Sequence, residues 1–400
     1  MKLQFPPGPL AGRVELPISK SIANRYLIIG ALANDTEKLF GQFDSNDIPE
    51  DVRILNNALH SNQSEGNIGM AGTAMRFLTA FYAVQEGNTV VLTGYKRMKQ
   101  RPIGGLVDAL KSLGADIEYL EQEGVPPLKI NGKKLPGGEV DISASVSSQF
   151  VSALMMIGPT FGNGLRINLE GKILSKPYIE LTAFCMRSCG ADVSFSDNTI
   201  EIELGKYTLN PKMVESDWSA ASYFYAIAGL RPNSKFLLKG LKLNSPQGDS
   251  VLADWFEKMG VRSVQKLDGV EITSGSEFNL PRQMDFTENP DLAQTFAFLA
   301  AASEKSLKLT GLDNLRVKET DRIFALVTEL EKLGLNVSST QNELSISGSL
   351  KVQEVSIDTY NDHRMAMSGA LLATKIPVNI ENPKVVVKSF PKFWESLSLL

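Results

Sequence analysis

Two short charged clusters concentrate the groups in this chain that could bind anions and move protons: RVKETDR at 316–322 and NDHR at 361–364. They bring Arg316, Lys318, Glu319, Asp321 and Arg322 close to one helix start, and Asp362, His363 and Arg364 close to another. Arginine and lysine pair with carboxylates and phosphates, while aspartate, glutamate and histidine exchange protons. Further donors stand earlier in the chain: Lys20, Ser21 and Arg25 in SKSIANR, Gly72 and Thr73 in AGTAM, and Arg97 and Arg101 in RMKQRP. Ser147, Ser148 and Gln149 in SVSSQF follow, then Ser175, Lys176 and Tyr178 in SKPYIE. Hydroxyls, amides and cations in the first half, with acids and cations in the second, suit a site that holds anions and shuttles protons. Each cluster also has a plainer reading. RVKETDR alone could be a solvated helix start laced with salt bridges, and His363, one of two histidines, could be structural.

These residues need elements to position them, and the chain repeats the same device six times. Apolar, helix-like runs begin with polar residues at 19–33, 71–83, 145–158, 216–229, 289–302 and 360–373. Marker residues Ser21, Thr73, Ser148, Ser219, Leu292 and Arg364 lie 52, 75, 71, 73 and 72 positions apart. A helix apolar on nearly every side is expected to be buried, and its N-terminal N–H groups then offer an anion site. The last three starts carry acids: Asp217, Asp291 and Asp362.

Between these runs lies a second repeated unit, an amphipathic helix, a glycine and a short strand, at 106–120, 181–195, 252–266 and 326–340. Gly114, Gly190, Gly260 and Gly334 stand where a left-handed helix stop is wanted. Polar turns in SDNTIEIEL, LDGVEIT and QNELSIS predict that three of the units fold back as hairpins. The full repeat reads as buried helix, strand, amphipathic helix, strand, strand, which indicates an α/β protein with internal pseudo-symmetry. The interval after the first buried helix is shorter by roughly 20 residues and has no room for paired strands. NPKMVESD (210–217) is the expected boundary between repeats three and four.

At 400 residues and 43% hydrophobic composition the chain can bury a large core. A net charge of −4 gives no general attraction to nucleic acid or anionic membrane, so cations must cluster locally. No apolar run is long enough for a membrane span, and the N-terminal prolines do not fit a signal peptide. The only cysteines, Cys185 and Cys189, read as apolar residues on one helix face, and a reducing cytoplasm is the expected compartment.

SKSIANR, AGTAMRFL, RMKQRPI, SVSSQF, SKPYI, RVKETDR, YNDHRMAM and VKSFPKFWESL, in this order, closely resemble the motifs of the EPSP synthase (3-phosphoshikimate 1-carboxyvinyltransferase) family. The resemblance implies an α/β fold of two similar lobes, each of three βαβαββ repeats (an inside-out α/β barrel), with buried helices aimed at the cleft between the lobes. It implies that residues 1–16 join 217–400 in one lobe, while 17–216 form the other. The implied reaction moves the enolpyruvyl group of phosphoenolpyruvate to the 5-hydroxyl of shikimate 3-phosphate and releases phosphate, with no metal or organic cofactor. Carried over by motif, Lys20, Ser21, Arg25, Ser147, Ser148, Gln149, Ser175, Tyr178, Asp291, Asn314 and Lys318 would bind shikimate 3-phosphate. Lys20, Gly72, Arg97, Gln149, Arg322, Arg364 and Lys388 would hold phosphoenolpyruvate. Asp291 and Glu319 would be the main proton-transfer groups, with Lys20 and His363 as further participants. A cytoplasmic monomer acting on small molecules, with no nucleic-acid or membrane partner, is expected.

Three residues depart from the family pattern: Ile18 and Phe77 replace a glycine and a proline, and Met70 replaces a polar residue. The rival readings are a UDP-N-acetylglucosamine enolpyruvyl transferase, whose usual loop cysteine is missing near RMKQRP, and a non-catalytic anion-binding relative.

Overall fold

Helices made of alanine, leucine and aromatics, with almost no polar face, have no stable place at a surface, and here they are enclosed. The computed structural model describes residues 1–34, 45, 47–61, 64–143, 147–209 and 214–400. Its six enclosed helices are Lys20–Leu32, Gly72–Ala83, Ser148–Ile157, Trp218–Leu230, Ala293–Ser303 and His363–Gly369, the last continuing as a 3-10 turn to Thr374. In Ala293–Ser303 ten consecutive residues, Ala293 to Ala302, are buried. Phe77 lies inside Gly72–Ala83 and is 1% exposed, a helix-interior position where proline would break a hydrogen bond. Residues 145–146, at the third predicted start, lie outside the described residues.

Sheets of one design cover these helices. Gly138–Ser143 runs parallel to Leu165–Glu170, which pairs antiparallel with Thr199–Ile202, itself antiparallel to Val193–Ser196. Three further sheets repeat this order, centred on Thr89–Thr93, Lys235–Lys239 and Leu307–Thr310. A fifth, three-stranded sheet joins Lys2–Leu3, Val378–Ile380 and Val355–Ile357. All five are open. Central strands alternate, as in Leu165–Glu170, where Leu165, Ile167 and Leu169 are buried and Arg166 and Glu170 exposed. One face therefore covers helices and the other meets solvent.

The amphipathic helices Gly104–Ser112, Lys176–Ser188, Leu252–Met259 and Arg322–Lys332 precede the four predicted glycines, all with φ between 80° and 104°. The three expected hairpins form. Asp116–Tyr119 and Leu128–Asn131 also pair antiparallel across the longer EQEGVPP connection, which the sequence pattern left open. In the short first interval the described residues form helix Glu50–His60 and strand Glu65–Asn67, which joins the next sheet.

The chain divides into two compact units, Met1–Ser19 with Glu215–Leu400, and Lys20–Val214. Within the first, Ala11–Glu15 pairs parallel with Lys235–Lys239. The two passing segments also pair: Ser19 N donates to Glu215 O (2.8 Å), Asp217 N donates to Pro17 O (2.9 Å), and Ile18 bridges Ser216. Ile18 thus stands in an extended bridge that suits a β-branched side chain. Residues 210–213 of NPKMVESD lie outside the described residues.

Candidate functional site

In the unit Lys20–Val214 the starts of three buried helices are tied side by side. Gln149 Nε2, in the first turn of one helix, donates to Thr73 Oγ1 in the first turn of another (3.2 Å). Arg25, one turn into the third, is 3% exposed and binds four protein oxygens. Its Nε donates to Thr182 Oγ1 (2.8 Å), Nη1 to Ser21 O (2.7 Å), and Nη2 to Ser152 Oγ (3.2 Å) and Tyr178 O (2.9 Å). One Nη1 N–H is left over by this set. Burial pushes the Arg25 guanidinium down to about 10, which leaves it charged at neutral pH. Phe77 packs on it, ring centre 5.6 Å from the guanidinium carbon.

Around these starts, Ser147 caps its helix by accepting from Gln149 N (3.3 Å), and Ser148 is buried behind it. Ser175 is buried and left-handed (φ 56°) at the entry to helix Lys176–Ser188. Tyr178 is half-buried, with its carbonyl on Arg25. Lys20 is paired with Asp51 Oδ2 at 3.0 Å. Sequence reasoning missed Asp51, because an acid in the first turn of Glu50–His60 looks like an ordinary helix start. Arg97 is half-buried before the turn Met98–Gln100, whereas Arg101 is buried. The Arg101 guanidinium lies so close to Gly72 that a methyl group there would be 2.5 Å from Nη1. Of the two RMKQRP arginines, Arg101 is thus set against a helix start.

The second unit holds an alternating network of cations and carboxylates. Arg322, 1% exposed, donates from Nε to Asp362 Oδ2 (2.7 Å), from Nη1 to Asp291 Oδ1 (3.3 Å) and from Nη2 to Glu319 Oε2 (3.0 Å). Arg364 Nη2 donates to Asp291 Oδ2 (2.7 Å), and Lys388 Nζ lies 3.1 Å from Glu319 Oε1. Lys318 Nζ is 3.8 Å from Asp291. Four cations thus interleave with three acids, Asp291, Glu319 and Asp362. Burial works against charge on Arg322, but Asp362, Glu319 and Asp291 outweigh it and raise its pKa. Tyr223, also buried, lies beside Arg364. Burial pushes its hydroxyl up to about 12, against the pull of the arginine.

The three helix-start acids separate into two roles. Asp217 and Asp362 are caps, accepting from Ala220 N and Arg364 N at 2.9 Å each. Asp291 instead sits in the turn Pro290–Leu292 before its helix, facing Arg322 and Arg364. Asp321 caps Arg322–Lys332 and also binds Arg316, so Arg316 is committed to the helix entry. His363 is 1% exposed, with Nδ1 3.6 Å from Asp362 Oδ1, too long for a hydrogen bond. Asn314 is half-buried, and its Oδ1 has no hydrogen-bond partner among the described residues. Tyr360 and Asn361, consecutive left-handed residues (φ 50° and 55°), precede Asp362. Tyr360 Oη donates to the buried Glu329 (2.7 Å), so helix Arg322–Lys332 holds this strained loop at both ends.

Comparison with known proteins adds an independent line. The family model for EPSP synthase (3-phosphoshikimate 1-carboxyvinyltransferase) matches residues 51–397. The 3-phosphoshikimate 1-carboxyvinyltransferase of Bacteroides fragilis is 43% identical over 396 residues, 98% of this chain and 95% of that protein. The protein of that name from Vibrio campbellii is 39% identical over 432 residues, 99% of this chain and 98% of its own length. A solved structure of EPSP synthase from Acinetobacter baumannii shares the fold, with a TM-score of 0.75 at 23% identity, covering 99% of this chain and 97% of that one.

Proposed function

Because the chain belongs to the EPSP synthase family, we propose that it transfers the enolpyruvyl group of phosphoenolpyruvate to the 5-hydroxyl of shikimate 3-phosphate, releasing phosphate, in aromatic amino-acid biosynthesis. The observation that carries the reading is the network in which Asp291 and Glu319 are each held between cations. Substrate oxygens can replace the carboxylates on these cations, which frees the carboxylates to exchange protons at the reacting atoms.

The chemistry is an addition followed by an elimination. The 5-hydroxyl oxygen bonds to C2 of phosphoenolpyruvate, its proton passes to a base and C3 gains a proton. C3 then gives up a proton, the C2–O bond to phosphate breaks, and the enol ether remains. Asp291 is assigned to the 5-hydroxyl proton and Glu319, with Lys20, to C3. His363, buried beside Asp362, is assigned with Lys20 as a further participant in proton transfer. Ser21, the remaining N–H of Arg25, Ser147, Ser148, Gln149, Ser175, Tyr178, Asn314 and Lys318 are assigned to shikimate 3-phosphate, with Lys20 and Asp291. Lys20, Gly72, Arg97, Gln149, Arg322, Arg364 and Lys388 are assigned to phosphoenolpyruvate, and the packing of Arg101 on Gly72 adds Arg101. No helix of the described residues is long and apolar enough to cross a membrane. All assigned groups come from one chain, and a monomer working in the cytoplasm suffices.

The test is phosphate release from purified protein and phosphoenolpyruvate, with shikimate 3-phosphate, UDP-N-acetylglucosamine or no acceptor. Release with shikimate 3-phosphate alone is expected. Release with the UDP-sugar would reassign the acceptor, and release with neither would indicate an anion-binding relative.

A further inference from the structure

Asp249 is a buried acid to which the reaction above gives no part. It lies in the turn Gly248–Val251 and is 4% exposed. Its carboxylate accepts from Ser219 Oγ, in the first turn of helix Trp218–Leu230, and from Asn289 Nδ2 at 3.0 Å. Asn289, also 4% exposed, stands two residues before Asp291, and its carbonyl accepts from Leu292 N (3.1 Å), closing the turn that carries Asp291. The preceding Gln247 anchors the Asp249 turn from the other side. Its Nε2 donates to Glu215 Oε1 (2.6 Å) and Ser216 O (2.8 Å), and its Oε1 accepts from Trp218 N (3.2 Å).

We propose that Asp249 is a positioning residue for Asp291: through Asn289 it fixes the turn that presents Asp291, and its negative charge sets how tightly Asp291 holds a proton. The proposal rests on the assignment of Asp291 as the acid–base group. The same turn that links the two carboxylates brings their charges within reach of each other. Burial raises Asp249 to about 6, and the second cause is the charge of Asp291, opposed by Ser219, Asn289 and Arg364. Such coupling is reciprocal, so an ionised Asp249 must raise the proton affinity of Asp291 by the same amount. Arg364 opposes the rise of Asp249 and donates to Asp291.

Asp249→Asn separates charge from shape, because the amide can accept from Asn289 and donate to Ser219. The assay is kcat and KM for both substrates from pH 5 to 8.5. The expected result is an acid limb of kcat moved down by about half to one pH unit, as loss of a like charge requires, with KM within about twofold. Asn289→Ala, which cuts the tether and leaves the charge, should lower kcat about tenfold at every pH with little change in KM. A pH profile of Asp249→Asn that superimposes on the parent would overturn the proposal, as would an Asn289→Ala loss confined to KM and thermal stability. Asp291→Asn in the same series isolates the underlying assignment. If that variant keeps near-normal turnover the role of Asp291 fails, whereas an inactive Asp291→Asn beside an unshifted Asp249→Asn rejects only the role of Asp249.

Discussion

Replacing Arg322 by methionine tests the charge network most directly. Methionine roughly fills the space of the arginine stem but removes the guanidinium that three carboxylates share. Two of those carboxylates keep a cation: Glu319 retains Lys388, and Asp291 retains Arg364 and Lys318. Asp362 is the weak point, because its side chain is 0% accessible and it keeps only a hydrogen bond from the Arg364 backbone and, among the described residues, His363 Nδ1 at 3.6 Å. Leaving a buried charge without its partner costs about 3–5 kcal/mol. In a unit of roughly 200 residues, at about 2–4 °C per kcal/mol, the thermal midpoint should fall by about 6–20 °C. Asp362→Asn removes the stranded charge while keeping an oxygen to cap Arg364 N. The double variant should therefore recover at least about 2 kcal/mol over Arg322→Met alone. Thermal and denaturant unfolding of the parent, both single variants and the double variant measure this coupling. A single-variant loss below about 1 kcal/mol, or a double variant no more stable than Arg322→Met, would refute the argument that Arg322 neutralises Asp362.

Three further outcomes follow from particular contacts. Because burial raises Asp249 from 3.8 to about 6, its favourable contribution is complete below 3.8 and is lost as pH rises through about 6. Asp249→Asn should thus be more stable than the parent by up to about 3 kcal/mol at pH 7.5, with the gap closing towards pH 4 in denaturant titrations; a pH-independent gap would contradict this. Gly72→Ala drives a methyl group into the Arg101 guanidinium, the movable end of a side chain. Stability should change by less than about 1 kcal/mol while KM for phosphoenolpyruvate rises about tenfold, and an unchanged KM would remove Arg101 from the site. Tyr360→Phe removes a donor from buried Glu329, and unfolding measurements should show a loss of about 1–3 kcal/mol; a loss under about 0.5 kcal/mol would exclude that bond as an anchor of the strained loop.

The large elements were legible because their signals are local. A run such as AQTFAFLAAA has one stable place, inside, and a glycine after an amphipathic helix marks its stop. The short first interval was legible from its length alone. Partners distant in sequence were not. Asp51 lies 31 positions from Lys20 and Asp249 lies 40 from Asn289, and nothing nearby distinguishes either acid from an ordinary helix-start residue. Arg97 and Arg101 are two cations on one connection, and only packing against Gly72 separates them. Likewise Asp217, Asp291 and Asp362 look equivalent in sequence. Backbone geometry makes two of them caps and leaves the third to face the arginines.

The parallel pairing of Ala11–Glu15 with Lys235–Lys239 also sets a timetable for synthesis. The partner strand follows 224 residues later, which at roughly 5–20 residues per second is a delay of about 11–45 s on the ribosome. Throughout that wait the first strand offers an unsatisfied edge to any extended chain nearby. Its sequence limits the hazard: AGRVE places Arg13 and Glu15 on one side of the strand, and prolines stand on both flanks at 6, 7, 9 and 17. Charge and proline discourage pairing with strangers, so the segment can remain idle until its own partner is made.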